Sequence, residues 1–238
     1  MDKLYIVIPA YNEQDNIDDV VKDWYPVVEK TGPDSRLVII DDGSNDAAYE
    51  KLLELAKDRP QMEPVHKENG GHGATVLFGY DYALKAGADY IFQTDSDGQT
   101  LPSEFDEFWA LRNDYDMVIG HRKGRQDGFS RVFVTKVLKA VCLVCFHVNV
   151  QDANTPFRLM KAESLKKEIS YIPKDYNLAN LIVSVLFIKK GYQVKYLPIT
   201  FRPRQGGVNS INFKKITKIG QKALKDFIQI NKIIKASK

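Results

Sequence analysis

The sequence predicts an α/β protein: a mixed, mainly parallel sheet flanked by helices, with an amphipathic helix at the C-terminus. Three observations lead there. Short apolar runs rich in β-branched residues alternate with segments of helical periodicity over the first 120 residues, the pattern of βαβ units. Two of those runs end in acidic pairs, Asp41-Asp42 and Asp95-Ser96-Asp97, and open α/β sheets bind ligands at the carboxyl ends of their strands. Between them, Gly70-Gly71-His72-Gly73 opens a helix.

Leu4 to Ile8 reads as the first strand, closed by Pro9. After the loop Ala10-Tyr11-Asn12-Glu13, a helix is expected from about Asn16 to Lys30, with Val20, Val21, Trp24 and Val27 on its apolar face and Gly32-Pro33 as its stop. Arg36 to Ile40 is the second strand. Asp46 is placed to cap a helix over Ala47 to Lys57. A weak strand from Met62 to His66 precedes the glycine loop and a helix over Ala74 to Ala86. Tyr90 to Phe92 is a short buried strand that delivers Asp95 and Asp97, and Gly98 turns the chain after them. A helix to about Arg112 and a strand over Asp116 to Gly120 complete the regular half.

The second half is less regular. Helices are expected over Arg131 to Val148 and Asn177 to Lys189, strands over Phe157 to Met160 and Tyr192 to Phe201, and a long closing helix over Ile211 to Ile234. Residues 1–210 read as one catalytic domain and 211–238 as an appended basic amphipathic helix.

Composition narrows the class. A chain of 238 residues, 44% hydrophobic and 27% charged, has ample core for a globular domain. A net charge of +3 is too small to imply a nucleic-acid partner, although eight lysines and one acid, Asp226, fall between Asn212 and Lys238. Cys142 and Cys145 have C-x-x-C spacing but no second pair, and their apolar setting reads as buried thiols. The chain enters a strand at once and has no apolar run long enough to span a bilayer, so the expected place is the cytoplasm. A basic amphipathic C-terminal helix could also lie on anionic lipid, at the inner face of the cell membrane.

Paired carboxylates at a strand end suit a hard divalent cation, Mg²⁺ or Mn²⁺, which takes few protein carboxylates and shares its other positions with water and phosphates. Asp, Ser and Gly also make ordinary solvated turns. Two acidic strand ends, a polar first loop and a glycine loop in one α/β half go beyond a turn. Together they describe a site for a nucleoside diphosphate whose departure a metal assists. A dinucleotide site fits poorly, because the third glycine of that fingerprint is missing and its preceding strand is weak.

Pro9-Ala-Tyr-Asn-Glu13, Asp41-Asp42-Gly43-Ser44, Asn69-Gly-Gly-His-Gly73 and Asp95-Ser-Asp-Gly-Gln99 resemble, in order, the motif series of family 2 glycosyltransferases. These are inverting enzymes of the GT-A (Rossmann-like) fold, and the resemblance covers roughly the first 210 residues. It implies that Pro9, Tyr11, Glu13 and Asp42 contact the nucleoside. Asp41, Gly71, His72, Ser96 and Gln99 complete the implied nucleotide-sugar site, and Asp95 and Asp97 form the metal-binding D-x-D motif, Asp97 being the more direct ligand. Within the family the likeness is to polyprenyl-phosphate glycosyltransferases of the dolichyl-phosphate mannose synthase type. Asp152-Ala-Asn-Thr-Pro-Phe-Arg158 resembles their D-x-x-x-G-F-R motif, with Pro156 in place of glycine. The segment after the last strand, with Arg202, Arg204, Gly207 and Ser210, resembles their R-x-x-G-x-S motif at one residue longer spacing.

Arginines suit bidentate phosphate capture, so Arg158, Arg202 and Arg204 are candidates to hold an acceptor phosphate. Each also reads as an ordinary surface charge. Transfer to a hydroxyl needs a general base, for which Asp152 or Asp175 could serve. The helix after Pro173 instead offers the amides Asn177 and Asn180. A phosphate monoester needs no base, being anionic already with a second pKa of about 6. The expected acceptor is therefore a polyprenyl phosphate, with a hydroxyl of a growing glycan as the alternative. A nucleotidyltransferase would carry a basic glycine loop after the first strand, where this chain has Ala10-Tyr-Asn-Glu13. A non-catalytic binding module would have no need of both acidic strand ends.

Overall fold

The protein is described from a computed structural model, covering residues 1–122, 142–152, 154–202 and 226–232. Seven strands form one sheet: β1 (Leu4–Ala10), β2 (Arg36–Asp41), β3 (Met62–His66), β4 (Tyr90–Gln93), β5 (Met117–Arg122), β6 (Arg158–Lys161) and β7 (Val194–Ile199). Their order is β3-β2-β1-β4-β6-β5-β7. Every neighbouring pair is parallel except those of β6, which runs antiparallel to β4 and to β5. The mixed, mainly parallel sheet expected from the sequence is what forms.

Helices cover both faces, as a parallel sheet requires. They are α1 (Ile17–Thr31), α2 (Ala48–Ala56), α3 (His72–Lys85), α4 (Phe105–Ala110), α5 (Ala162–Ile169) and α6 (Ala179–Lys189). All seven residues of β1 are buried, since it lies inside the sheet with apolar residues on both faces. Alternate residues therefore feed two cores. Val7, Val38, Ile91 and Ile119 join α3 and α6 on one side. Ile6, Ile39 and Phe92 join α1 and α4 on the other, where Phe92 packs edge-on against Phe157 at 4.7 Å and tilted against Trp24 at 5.4 Å.

The structure extends several expected elements, β5 for instance to Arg122, and adds one. β1 runs through Pro9 to Ala10, because β4 pairs only as far as Val7 and the proline imino group interrupts no ladder. Helix α3 begins at His72, inside the glycine loop. Helix α5, two turns with Ala162 and Leu165 buried, was not expected from the sequence. Of the helix expected over Arg131 to Val148, residues 142–146 are described and helical, and of the one over Ile211 to Ile234, residues 226–232. His147 and Val148, which close the first, are described and are not helical, His147 standing at φ 58°; the rest of both helices, and the 210/211 boundary, lie outside the described residues. No helix among the described residues is long and apolar enough to cross a membrane.

Candidate active site

Parallel pairing brings the carboxyl ends of β1, β2, β3 and β4 to one edge, and backbone bonds lash them together. The Asp42 N–H donates to Ala10 O at 2.9 Å, Lys67 N–H to Asp41 O at 3.0 Å and Thr94 N–H to Val7 O at 3.3 Å. Pro9, Tyr11, Glu13, Asp41, Asp42, Gly71, His72, Asp95, Ser96, Asp97 and Gln99 all lie on or beside these strand ends.

The two acids at the end of β2, Asp41 in the strand and Asp42 just after it, do different work. Asp41 is fully buried, and its Oδ2 meets His66 Nδ1 at 2.7 Å and accepts from the Ser44 N–H at 3.2 Å. Asp42 holds the glycine loop. Its carboxylate accepts from the N–H groups of Gly70 and Gly71, each at 2.9 Å, and from Lys67 Nζ, while its carbonyl accepts from Asn69 Nδ2 at 2.9 Å. Burial alone would raise the Asp42 pKa; Lys67, the Gly70 N–H and Thr75 outweigh it and hold the carboxyl below its usual range. Gly43 permits the close approach: it has φ +69°, and a Cβ there would lie 2.8 Å from Asn69 N.

The β1 loop closes the neighbouring side. Asn12, at φ 53°, donates its N–H to Ser44 Oγ at 2.9 Å and accepts from the Asn45 N–H at 2.8 Å. Tyr11 stands 44% exposed beside it, with Asn45 Nδ2 3.4 Å from its hydroxyl. Glu13 is buried and accepts from Asn16 Nδ2 at 2.5 Å. An exposed ring above buried acids can cover a nucleoside whose polar edge the acids meet.

At the end of β4, His72 Nε2 lies 3.0 Å from Asp95 Oδ1. Desolvation lowers the pKa of the His72 ring, yet Asp95, Asp97 and Asp42 together raise it above its ordinary value. Asp97 accepts from the Gln99 N–H at 3.2 Å. Among the described residues no three His, Cys, Asp or Glu side chains converge as a ready-made metal cage. The i, i+2 carboxylates nonetheless have the donor chemistry of a Mg²⁺ or Mn²⁺ position completed by phosphate and water. Gln99 also ties the site to the end of the sheet, its Nε2 donating to Arg202 O and its carbonyl accepting from the Arg202 N–H, both at 2.8 Å.

The acceptor-side expectations fare differently. Asp152, one candidate base, is gripped by Arg122 through Nε at 2.9 Å and Nη2 at 2.8 Å. Burial opposes its charge, but Arg122 and Thr155 push its pKa far below the ordinary carboxylate range. Arg158 is not a surface phosphate ligand. It is fully buried, with its guanidinium bonded to Thr155 O, Asn180 O and Ser184 Oγ. Arg202 is exposed, and its charge acts on Asp23 in α1, partly offsetting the burial that raises that carboxyl. Asp175 is exposed in the turn before α6, and Arg204 lies outside the described residues.

Sequence reasoning missed Lys67 and the backbone of Tyr176 and Asn177. Lys67 directly follows β3 and was readable only as a surface charge. A Cβ at Gly73 would run into the carbonyl oxygens of Tyr176 and Asn177, so that glycine lets the turn before α6 dock on the start of α3. The Asn177 side chain thereby reaches Gly71, where an added Cβ would lie 3.8 Å from its Oδ1.

The fold is of the GT-A type. The family model for Glycosyl transferase family 2 matches residues 5–169, and the chain belongs to that family. It is 26% identical over 216 residues to a polyprenol monophosphomannose synthase of Mycolicibacterium smegmatis, covering 87% of this chain and 80% of that protein. Its fold is similar to that of glucosyl-3-phosphoglycerate synthase from Mycobacterium tuberculosis, solved with Mn²⁺ and UDP-glucose. That match has a TM-score of 0.68 at 16% identity and covers 96% of this chain and 79% of the other. The S. aureus TarS 1-349 structure matches at a TM-score of 0.57 and 15% identity, covering 82% of this chain and 58% of that one.

Proposed function

We propose that this glycosyltransferase moves a sugar from a nucleotide-diphosphate donor to a polyprenyl phosphate, by one displacement with inversion at the anomeric carbon. One observation carries the choice of acceptor: Asp152, the buried acid on the acceptor-side loop, is held as a carboxylate by Arg122. An acid so tightly paired is a poor proton acceptor, and a phosphate monoester asks for none. The similarity to a polyprenol monophosphomannose synthase supports the same reading.

In this account Tyr11, Glu13 and Asp42 meet the nucleoside, with Asp41 buried beneath them. The N–H groups of Gly70 and Gly71 are spent on Asp42, which leaves the start of α3 beyond them to face the diphosphate. Asp95 and Asp97 would hold Mg²⁺ or Mn²⁺, and the cation would neutralise the departing diphosphate. The Mn²⁺ and UDP-glucose in the solved neighbour make a divalent ion a reasonable companion here.

The lipid part of the acceptor requires an apolar surface. Leu143, Val144 and Ile228 are 56%, 74% and 47% exposed. Their two segments are joined by Asn231 Nδ2 donating to Cys145 O at 2.6 Å and by the Phe146–Phe227 ring contact. They form the proposed peripheral membrane face of a cytoplasmic enzyme, and the lysine-rich sequence after Asn212 has the charge that anionic lipid attracts. Transfer to a glycan hydroxyl is the second reading, favoured by the exposed Asp175 carboxylate two residues before Asn177.

A donor screen tests the activity itself. UDP-, GDP- and dTDP-sugars are offered with undecaprenyl phosphate and Mn²⁺, and with Mn²⁺ replaced by EDTA. Release of nucleoside diphosphate from one donor, lost in EDTA, is the expected result. No release from any donor would overturn the proposal.

A further inference from the structure

Arg158 is the largest fully buried side chain among the described residues. No carboxylate is among its hydrogen-bond partners; Asp152 and Asp95 compensate its charge only from a distance. Burying a guanidinium this way is expensive, and an apolar residue of similar volume commonly serves stability as well or better. Its position makes the cost larger. Nη1 donates to Asn180 O at 2.8 Å, in the first turn of α6, where the helix dipole is positive and disfavours a cation. A side chain tolerated under those terms is held for its geometry.

That geometry is a brace. Nε and Nη2 both donate to Thr155 O, at 3.2 and 2.6 Å, and Nη1 reaches Ser184 Oγ at 3.2 Å as well as Asn180 O. One planar group thus joins the loop that carries Asp152 to the first two turns of α6. The turn leading into α6 is the one whose Tyr176 and Asn177 carbonyls abut Gly73, and the residue before Gly73 is His72, the partner of Asp95. In the sheet, Arg158 sits opposite Gln93, two residues before Asp95.

We propose that Arg158 is a positioning residue: it ties the start of α6 to the loop carrying Thr155, and so holds the Tyr176–Asn177 backbone against Gly73, beside the His72 that meets Asp95. The proposal rests on the reading that this site transfers a sugar. A lysine would keep the charge but cannot reach the Thr155 carbonyl, the Asn180 carbonyl and the Ser184 hydroxyl together, so the planar fork is what matters.

The test compares Arg158→Lys, Arg158→Gln and Ser184→Ala with the unaltered protein by hydrogen–deuterium exchange and by turnover. In both arginine variants, exchange should quicken in residues 154–159 and 173–184 and stay unchanged in 4–56. With an active donor, kcat should fall at least tenfold while donor KM stays within threefold, and lysine should rescue no better than glutamine. Ser184→Ala removes one bond of the brace without burying anything new, so it decides the matter if the arginine variants do not fold. It should show the same exchange pattern and a two- to fivefold lower kcat. Unaltered exchange in the folded variants would overturn the proposal, as would full activity in Arg158→Lys, which would make charge the requirement. If no donor is turned over by the unaltered protein, the transfer reading fails, and the exchange arm still decides whether Arg158 braces the turn.

Discussion

The Gly71 N–H donates to the Asp42 carboxylate at 2.9 Å, across 29 residues of chain, and makes the end of β2 and the glycine loop one unit. Gly70 and Lys67 converge on the same carboxylate. In the proposed reading the same acid also meets the nucleoside, which would couple donor binding to loop order.

Asp42→Ala should therefore weaken binding of the nucleoside diphosphate by ~1.5–3 kcal/mol, the range for a hydrogen bond to a charged group. Calorimetry with UDP and GDP measures it. Unchanged affinity would remove Asp42 from the donor site.

Asp152 and Arg122 form a buried pair, with side chains 11% and 7% exposed. The folded pKa of Asp152 is depressed below its ordinary 3.8, so the unfolded chain takes up the proton first as pH falls. Its stabilisation is fully present above the unfolded pKa and is lost as pH drops toward the folded one. Asp152→Asn should cost about 3 kcal/mol at pH 7, the order for a broken buried pair. The difference from the unaltered protein should shrink below about pH 4. Urea unfolding at pH 7, 5 and 3.5 reads this, and a difference that does not vary with pH would refute it.

Gly73→Ala places a methyl against the Tyr176 and Asn177 carbonyls, which are backbone and cannot swing aside. Overpacking of this kind costs roughly 1–3 kcal/mol. The thermal midpoint should fall and turnover should drop with it, even though Gly73 bears no reactive group. A variant of normal stability and activity would mean that the turn before α6 does not need this seat.

Much of this was readable from residue order. The strand ends carrying Asp42 and Asp97 announced themselves through apolar runs followed by acids, because a buried parallel strand has a composition of its own. Arg158 shows where such reading stops. Its motif marked it as interesting, but a sequence does not distinguish an arginine aimed at solvent from one turned under a helix. That depends on Thr155, Asn180 and Ser184 meeting in space. The setting of Asp152 was hidden for the same reason, since its partner Arg122 stands 30 residues earlier, at the end of β5. Helix α5 escaped notice because two turns give too little periodicity to register.

Asp97→Ala should abolish transfer with the fold intact. Asp97 is half-buried at the end of a strand whose apolar residues carry the packing. Circular dichroism and a thermal scan should match the unaltered protein while donor turnover disappears. Normal turnover in this variant would exclude the Asp95–Asp97 pair from the chemistry.

The central claim is that the acceptor is a lipid phosphate requiring no base. It is met most directly by offering one radiolabelled nucleotide sugar to undecaprenyl phosphate and, in parallel, to a panel of soluble oligosaccharides, with the unaltered protein and with Asp175→Asn. The account predicts label in the lipid alone, and nearly equal rates for the two proteins. Efficient labelling of a soluble hydroxyl acceptor, lost in Asp175→Asn, would contradict it.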